Sequence, residues 1–181
     1  MERKYCPMME ITLPELILLA AYGGDYHLFI ESVYATFEKD FILYKPSFRG
    51  KSLRLKYHPA FQGKAYTFYH MTHIGNNEND RIPDLRRCER IPFARPVIEK
   101  CDNWELKIWP QKRGNKNRLC IWLERQDEPD YFVILDVRDK YILPWTAFVA
   151  EYEHQKKKKL KEYQEFIKKQ KPPARDSPTV S

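Results

Sequence analysis

Residues 104–149, WELKIWPQKRGNKNRLCIWLERQDEPDYFVILDVRDKYILPWTAFV, contain four runs of strand-forming residues separated by turn-rich or charged breaks. The runs are Trp104 to Trp109, Leu119 to Glu124, Tyr131 to Val137 and Tyr141 to Val149. In the first two the apolar residues alternate, with Trp104, Leu106 and Ile108 on one side and Leu119, Ile121 and Leu123 likewise. Short connections between successive strands predict an antiparallel meander. In the last run alternation groups Leu143, Trp145 and Ala147 on one face and puts Thr146 on the other with Ile142. Pro144 falls inside a run otherwise built for a sheet.

Outward from this sheet the pattern turns helical. Glu153 to Lys171 has a helical composition with Leu160, Tyr163 and Ile167 on one stripe, and 172–181, rich in Pro, Ser and Thr, reads as a disordered tail. Upstream, Leu85, Cys88, Ile91, Ile98 and Cys101 keep helical spacing. Pro92 and Pro96 interrupt it, predicting a kinked helix or two short ones. Ala65 to Thr72 reads as a strand ending in His70, with a loop from Gly75 to Asp80. Leu13 to Tyr22 reads as a short buried helix stopped by Gly23-Gly24. Asp25 can cap a second helix with Leu28, Phe29, Val33, Phe37 and Phe41 on one stripe, so the pair is an αα-hairpin candidate. Pro46 to Gly63 looks like a connecting segment around a short strand, Leu53 to Tyr57. The expected fold class is α+β: N-terminal helices, then a four-stranded antiparallel sheet and a C-terminal helix. The expected division is 1–64 as a helical lead segment, 65–171 as the main α+β domain and 172–181 as tail.

The chain has 181 residues, with 43% hydrophobic and 14% aromatic, enough bulk to offset the entropy of ordering one compact domain. Mean hydropathy is −0.70, and no run approaches the roughly 18 to 20 apolar residues of a spanning helix. No membrane partner is expected. The formal net charge of +7 is unevenly spread. Residues 81–120 hold 11 basic and 5 acidic residues, and 151–171 hold 8 and 4. A localised positive field of this kind attracts phosphate-rich partners, although a lysine-rich helix is also an ordinary solvated face. Cys6, Cys88, Cys101 and Cys120 form no CxxC pair and no signal peptide precedes them. An intracellular, cytoplasmic protein with reduced thiols is expected, without a zinc site or other cofactor.

No GxxxxGK, GxGxxG, HExxH or GxSxG motif is present, which removes the usual support for nucleotide hydrolysis, zinc proteolysis and α/β-hydrolase chemistry. What remains is a set of weaker parts. His70 closes Tyr66-Thr67-Phe68-Tyr69-His70, and its imidazole is suited either to proton transfer or to a buried structural hydrogen bond. Arg81, Arg86, Arg87, Arg90 and Arg95 are spaced so that several guanidinium groups share a helix face. They could hold phosphate oxygens or pair with Asp84, Glu89 and Glu99. Lys112 to Arg118 reads as a basic hairpin loop suited to a nucleic-acid backbone.

Together Phe68-Tyr69-His70, Arg81 to Phe93, Arg95 to Glu99, Lys112-Arg113, Leu119 to Glu124, Tyr131 to Leu135 and Trp145 to Phe148 resemble the phage branch of the barnase, EndoU, colicin and RelE-like nucleases. The resemblance covers roughly residues 65–170, and the DLRRCERI stretch and the late Thr-Ala-aromatic motif are its specific parts. It departs from the family pattern at Phe93, where a tryptophan is common, and at Pro144, which implies a bulge or edge position beside Thr146. The resemblance implies a metal-independent endoribonuclease of the toxin or effector type, using ribose 2′-OH attack on the adjacent phosphate. The matching catalytic positions are His70 as general acid or base, Arg90 for charge on the phosphate and Thr146 to hold the phosphate or its leaving oxygen. RNA would be bound by Arg86, Arg87, Lys112, Arg113 and Arg118, with Tyr69 or Trp145 stacking on bases. RNA is the expected partner, and an antitoxin or immunity protein is a further one. The same basic blocks equally fit a non-catalytic nucleic-acid-binding accessory protein of a phage or mobile element.

Overall fold

The structure, a computed structural model, describes residues 10–75, 77, 80–114 and 116–170, and every side chain among them except those of Lys112 and Arg113. Cys6 and the expected tail at 172–181 lie outside the described residues. In chain order the elements are α1 (Tyr26–Phe37), β1 (Ser47–Phe48), β2 (Lys51–Ser52), α2 (Tyr66–Thr72), β3 (His73–Ile74), β4 (Ile82–Pro83), α3 (Leu85–Glu89) and α4 (Ile91–Lys100). They continue with β5 (Lys107–Arg113), β6 (Lys116–Leu123), β7 (Asp130–Val137), β8 (Ile142–Ala150) and α5 (Glu153–Gln170). The α+β plan holds: helices, a four-stranded antiparallel sheet in the order β5-β6-β7-β8, and a C-terminal helix.

The sheet is covered on both faces. Ile121, Val133, Leu135, Ile142, Ala147 and Val149 point to a core shared with α1 to α4. On the other face Trp109, Cys120, Trp122, Phe132 and Ile134 meet Leu160, Tyr163 and Phe166 of α5. The third apolar contact of α5 is therefore Phe166 and not the expected Ile167. The first core takes in Phe29, Val33, Phe37, Phe41 and Phe48, so it runs unbroken across the expected division at 64/65. Leu28, placed by spacing on the same stripe, is 55% exposed.

Several elements differ from the sequence expectation, each for an identifiable reason. Tyr66–Thr72 is a helix buried on every side, and a short run whose polar residues Thr67, His70 and Thr72 are buried with the apolar ones carries no period that separates helix from strand. Leu13 to Leu18 carries no regular secondary structure, with the Ile17 amide donating to Glu89 O at 3.1 Å, and the helix expected there is reduced to the 3₁₀ turn Leu19–Tyr22. Gly23 closes that turn at φ 63, so the glycine stop is present without the full helix. Asp25 caps α1 as expected, accepting from the Leu28 amide at 3.0 Å, and the chain continues beyond Phe37 as the π-helical segment Glu38–Leu43. Pro92 lies in the first turn of α4 and Pro96 inside it, and the arginine-rich stretch from Asp84 on forms two short helices, as expected. The expected basic loop shrinks to the turn at Gly114, because pairing runs out to Arg113 opposite Lys116 and makes Arg118 a strand residue.

Among the described residues strand β8 pairs with β7 and, through a bridge at Ile142, with Leu53. Ile134 faces Thr146, but Leu135 faces Pro144, which leaves Trp145 as the extra residue of a bulge. A proline has no amide to give a ladder, which suits this position. The bulge reverses the alternation of the strand. Ile142 and Ala147, of opposite parity, both enter the core under the helices, while Trp145, Thr146 and Phe148 all line one cleft.

Candidate active site

Helix α5 does not cover the whole sheet. Across the strands run the rows Lys107-Trp122-Phe132-Phe148, Trp109-Cys120-Ile134-Thr146 and Gln111-Arg118-Asp136. A cleft of about 610 Å³ opens where Ile134, Thr146, Trp145, Phe148, Gln111 and Arg118 meet the helix face carrying His154, Gln155, Lys158 and Lys159. Asp84 and Arg87, from the start of α3, close one side.

Arg87 is the best-positioned cation in the cleft. Asp84 caps α3 by accepting from the Arg87 amide at 3.2 Å, and its second oxygen lies 3.2 Å from Arg87 Nε. The other end of the guanidinium donates through Nη1 to Thr146 Oγ1 at 3.2 Å and lies over the Phe148 ring at 5.8 Å. Burial lowers its pKa and Asp84 opposes the shift. A guanidinium starts so far above neutrality that it keeps its charge. A fixed, partly desolvated fork beside a hydroxyl can hold two phosphate oxygens.

Trp145 forms the adjoining wall. The Arg118 guanidinium lies 4.3 Å and Lys116 Nζ 5.3 Å from its ring centroid, and the His70 ring lies 4.8 Å away. His70 sits on buried α2, one layer behind the cleft, against Tyr66 at 4.4 Å and with Arg81 Nη2 at 3.5 Å from its Nδ1. It lines a small space of about 20 Å³ with Pro144 and Trp145 and not the cleft itself.

The three expected catalytic residues are therefore not gathered together. Thr146 is in the cleft and His70 touches it through Trp145. Arg90 is elsewhere, 3% exposed, donating to Arg86 O and Glu89 at 3.3 Å with Glu128 at 4.0 Å. Of the expected RNA-binding residues, Arg87, Arg118 and Trp145 line the cleft. Arg86 stands at the rim, 3.6 Å from Glu151. Tyr69 is packed inside, its hydroxyl donating to Phe61 O at 2.8 Å. Lys112 and Arg113 have strand backbones, and their side chains lie outside the described residues.

Sequence reasoning named Asp84 as a partner for the arginines, which it is for Arg87, and missed Gln111, His154, Lys158 and Lys159. The signal was the spacing of His154 with Lys158 and of Gln155 with Lys159, which places each pair on one face of α5. That helix was open to the reading of a solvated surface. Cys88 and Cys101 are inert thiols, pushed up by burial to about 12 and about 11. Among the described residues no group of three His, Cys, Asp or Glu side chains stands close enough to hold a metal. No described helix is long and apolar enough to cross a membrane. Set against profiles of known protein families, curated proteins and solved structures, the chain finds no match in any of the three.

Proposed function

We propose that the chain is an endoribonuclease of the toxin or effector type that cuts single-stranded RNA in the cleft between β8 and α5. The observation that supports this reading most is the Arg87 guanidinium, held by Asp84 and directed at Thr146 in a cleft where Arg118, Lys158 and Lys159 outnumber Asp84 and Glu151. Such a field favours a phosphodiester, and the Trp145 and Phe148 rings offer surfaces for unpaired bases.

In this scheme Arg87 and Thr146 hold the non-bridging oxygens and stabilise the charge that grows on them. His154, exposed in the cleft on the first turn of α5, takes the proton of the ribose 2′-OH. The 2′ oxygen bonds to phosphorus and the bond to the 5′ oxygen breaks. The products are a 2′,3′-cyclic phosphate and a 5′-hydroxyl end, whose proton comes from the imidazolium or from water. A neutralising antitoxin or immunity protein belongs to the same reading.

The test is incubation of the folded chain with single-stranded RNA in a chelator, beside DNA of the same sequence. Cyclic phosphate ends on the RNA and intact DNA are expected. RNA that is bound but stays whole would overturn catalysis and favour a non-catalytic nucleic-acid-binding protein. The separation of His70 and Arg90 from Thr146 is the observation that favours that second reading.

A further inference from the structure

At the β5 end of the cleft three polar side chains are joined that take no part in the bond-breaking steps. Gln111 and Lys159, 9% and 8% exposed, both line the cleft. Gln111 Nε2 and Lys159 Nζ, the latter at 2.9 Å, both donate to Glu162 Oε2. Glu162 lies behind them, facing a neighbouring recess beside Trp109. A carboxylate can only accept, so Glu162 fixes which way the Gln111 amide is turned. Its Oε1 accepts no hydrogen bond among the described residues. The Lys159 ammonium has three donors and, among the described residues, one hydrogen bond, to Glu162. The floor next to them is apolar, made by Ile134 and by Phe148, whose ring stacks on Phe132 at 5.2 Å. An apolar floor with one fixed acceptor and a cationic donor at its end has the make-up of a nucleobase subsite.

We propose that this end of the cleft reads the keto and ring N–H edge shared by uracil and guanine. Lys159 donates to the base carbonyl and Gln111 Oε1 accepts the ring N–H. Cytosine and adenine present an amino group and an unprotonated ring nitrogen at the same places. They set an N–H donor against the ammonium and a lone pair against the amide oxygen. The inference rests on the cleft being an RNA site, and it adds base selectivity to that reading.

The experiment uses the whole chain with oligo(dU) and oligo(dC) of equal length, which differ at this edge and cannot undergo 2′-OH attack. Fluorescence anisotropy should give roughly fivefold or more tighter binding of oligo(dU), as one good pair of base contacts supplies. Gln111→Leu and Glu162→Gln should each bring the ratio to within about twofold, with oligo(dC) still bound. Glu162→Gln keeps the packing and frees the Gln111 amide to turn; it also releases Lys159 from its carboxylate, which raises the affinity for both oligonucleotides alike, so the ratio reports even if Gln111→Leu fails to fold. Equal binding of the two oligonucleotides by the wild type, or a preference that survives in the folded variants, would overturn the subsite. Loss of all binding would instead overturn the RNA reading on which it stands.

Discussion

Arg87 Nη1 donates to Thr146 Oγ1 at 3.2 Å, joining residues 59 positions apart on α3 and β8. The contact depends on two backbone features. The Asp84 cap sets the start of α3, and the bulge at Trp145 turns Thr146 to the cleft. Thr146→Val keeps the shape and removes the hydroxyl. Because a hydrogen bond to a charged group is worth about 1.5 to 3 kcal/mol, RNA cleavage should slow by roughly ten- to a hundredfold. Affinity for uncleavable DNA should change by no more than about twofold, since Arg87 keeps its charge and its Asp84 partner. Single-turnover kinetics and anisotropy on the same preparation check both.

The two histidines near the cleft should separate cleanly. His154 is exposed, so His154→Ala should leave the melting temperature unchanged and slow cleavage by about a hundredfold or more, the scale of a lost proton-transfer group. His70 is 8% exposed and packs between Tyr66 and Trp145. His70→Ala should cost about 1 to 3 kcal/mol of stability by leaving space behind Trp145. Its effect on RNA should appear in affinity and not in the chemical step. Equal rates for His154→Ala and wild type would remove the proton-transfer assignment.

Much of this arrangement was legible in the sequence, and the part that was not has a common cause. Three strands of the meander announced themselves through strand-forming runs and turn residues, whereas the first starts at Lys107 and runs on to Arg113, because Trp104-Glu105 is a turn with Glu105 at φ 51. Pro144 announced an irregularity in β8, and both of its readings are realised, since β8 is an outer strand and carries a bulge beside Thr146. Alternation counted through Trp145 nonetheless put Thr146 on the wrong face, because a bulge inserts one residue and reverses every later position. Tyr66 to Thr72 read as a strand because all seven residues are buried and leave no polar side to reveal the period. Convergence between distant elements was beyond local pattern altogether. Arg86, Arg87 and Arg90 look equivalent in a run of arginines. One faces the rim, one the cleft and one is buried beside Glu89.

That last difference can be tested through Arg90. Its side chain is buried, with hydrogen bonds to Arg86 O and to the partly buried Glu89, while Glu128 stands exposed at 4.0 Å. Arg90→Met removes those charge-assisted hydrogen bonds and should cost about 1.5 to 3 kcal/mol in a urea titration. The surviving folded protein should bind RNA like the wild type. If Arg90→Met is stable but inactive, Arg90 acts on substrate and the cleft described above is incomplete.

The stability of the fold should fall in mildly acidic solution because of His73. Its ring is buried against Phe68 and Tyr69, with Nδ1 2.8 Å from Thr72 Oγ1. Burial, helped by the nearby Arg81 charge, pushes its pKa down from the ordinary 6.5 to about 4. Between those values the unfolded chain binds a proton at this position and the folded chain does not. Stability from this residue is thus fully present above about pH 6.5 and is lost progressively as the pH falls toward 4. The full loss is on the order of 3 kcal/mol. His73→Gln should flatten that part of the curve in urea unfolding measured from pH 7 to pH 4, since an amide can share the Thr72 hydrogen bond without titrating. A wild-type curve as flat as that of the variant would mean that His73 gains its proton in the folded state at no cost, contrary to its enclosure.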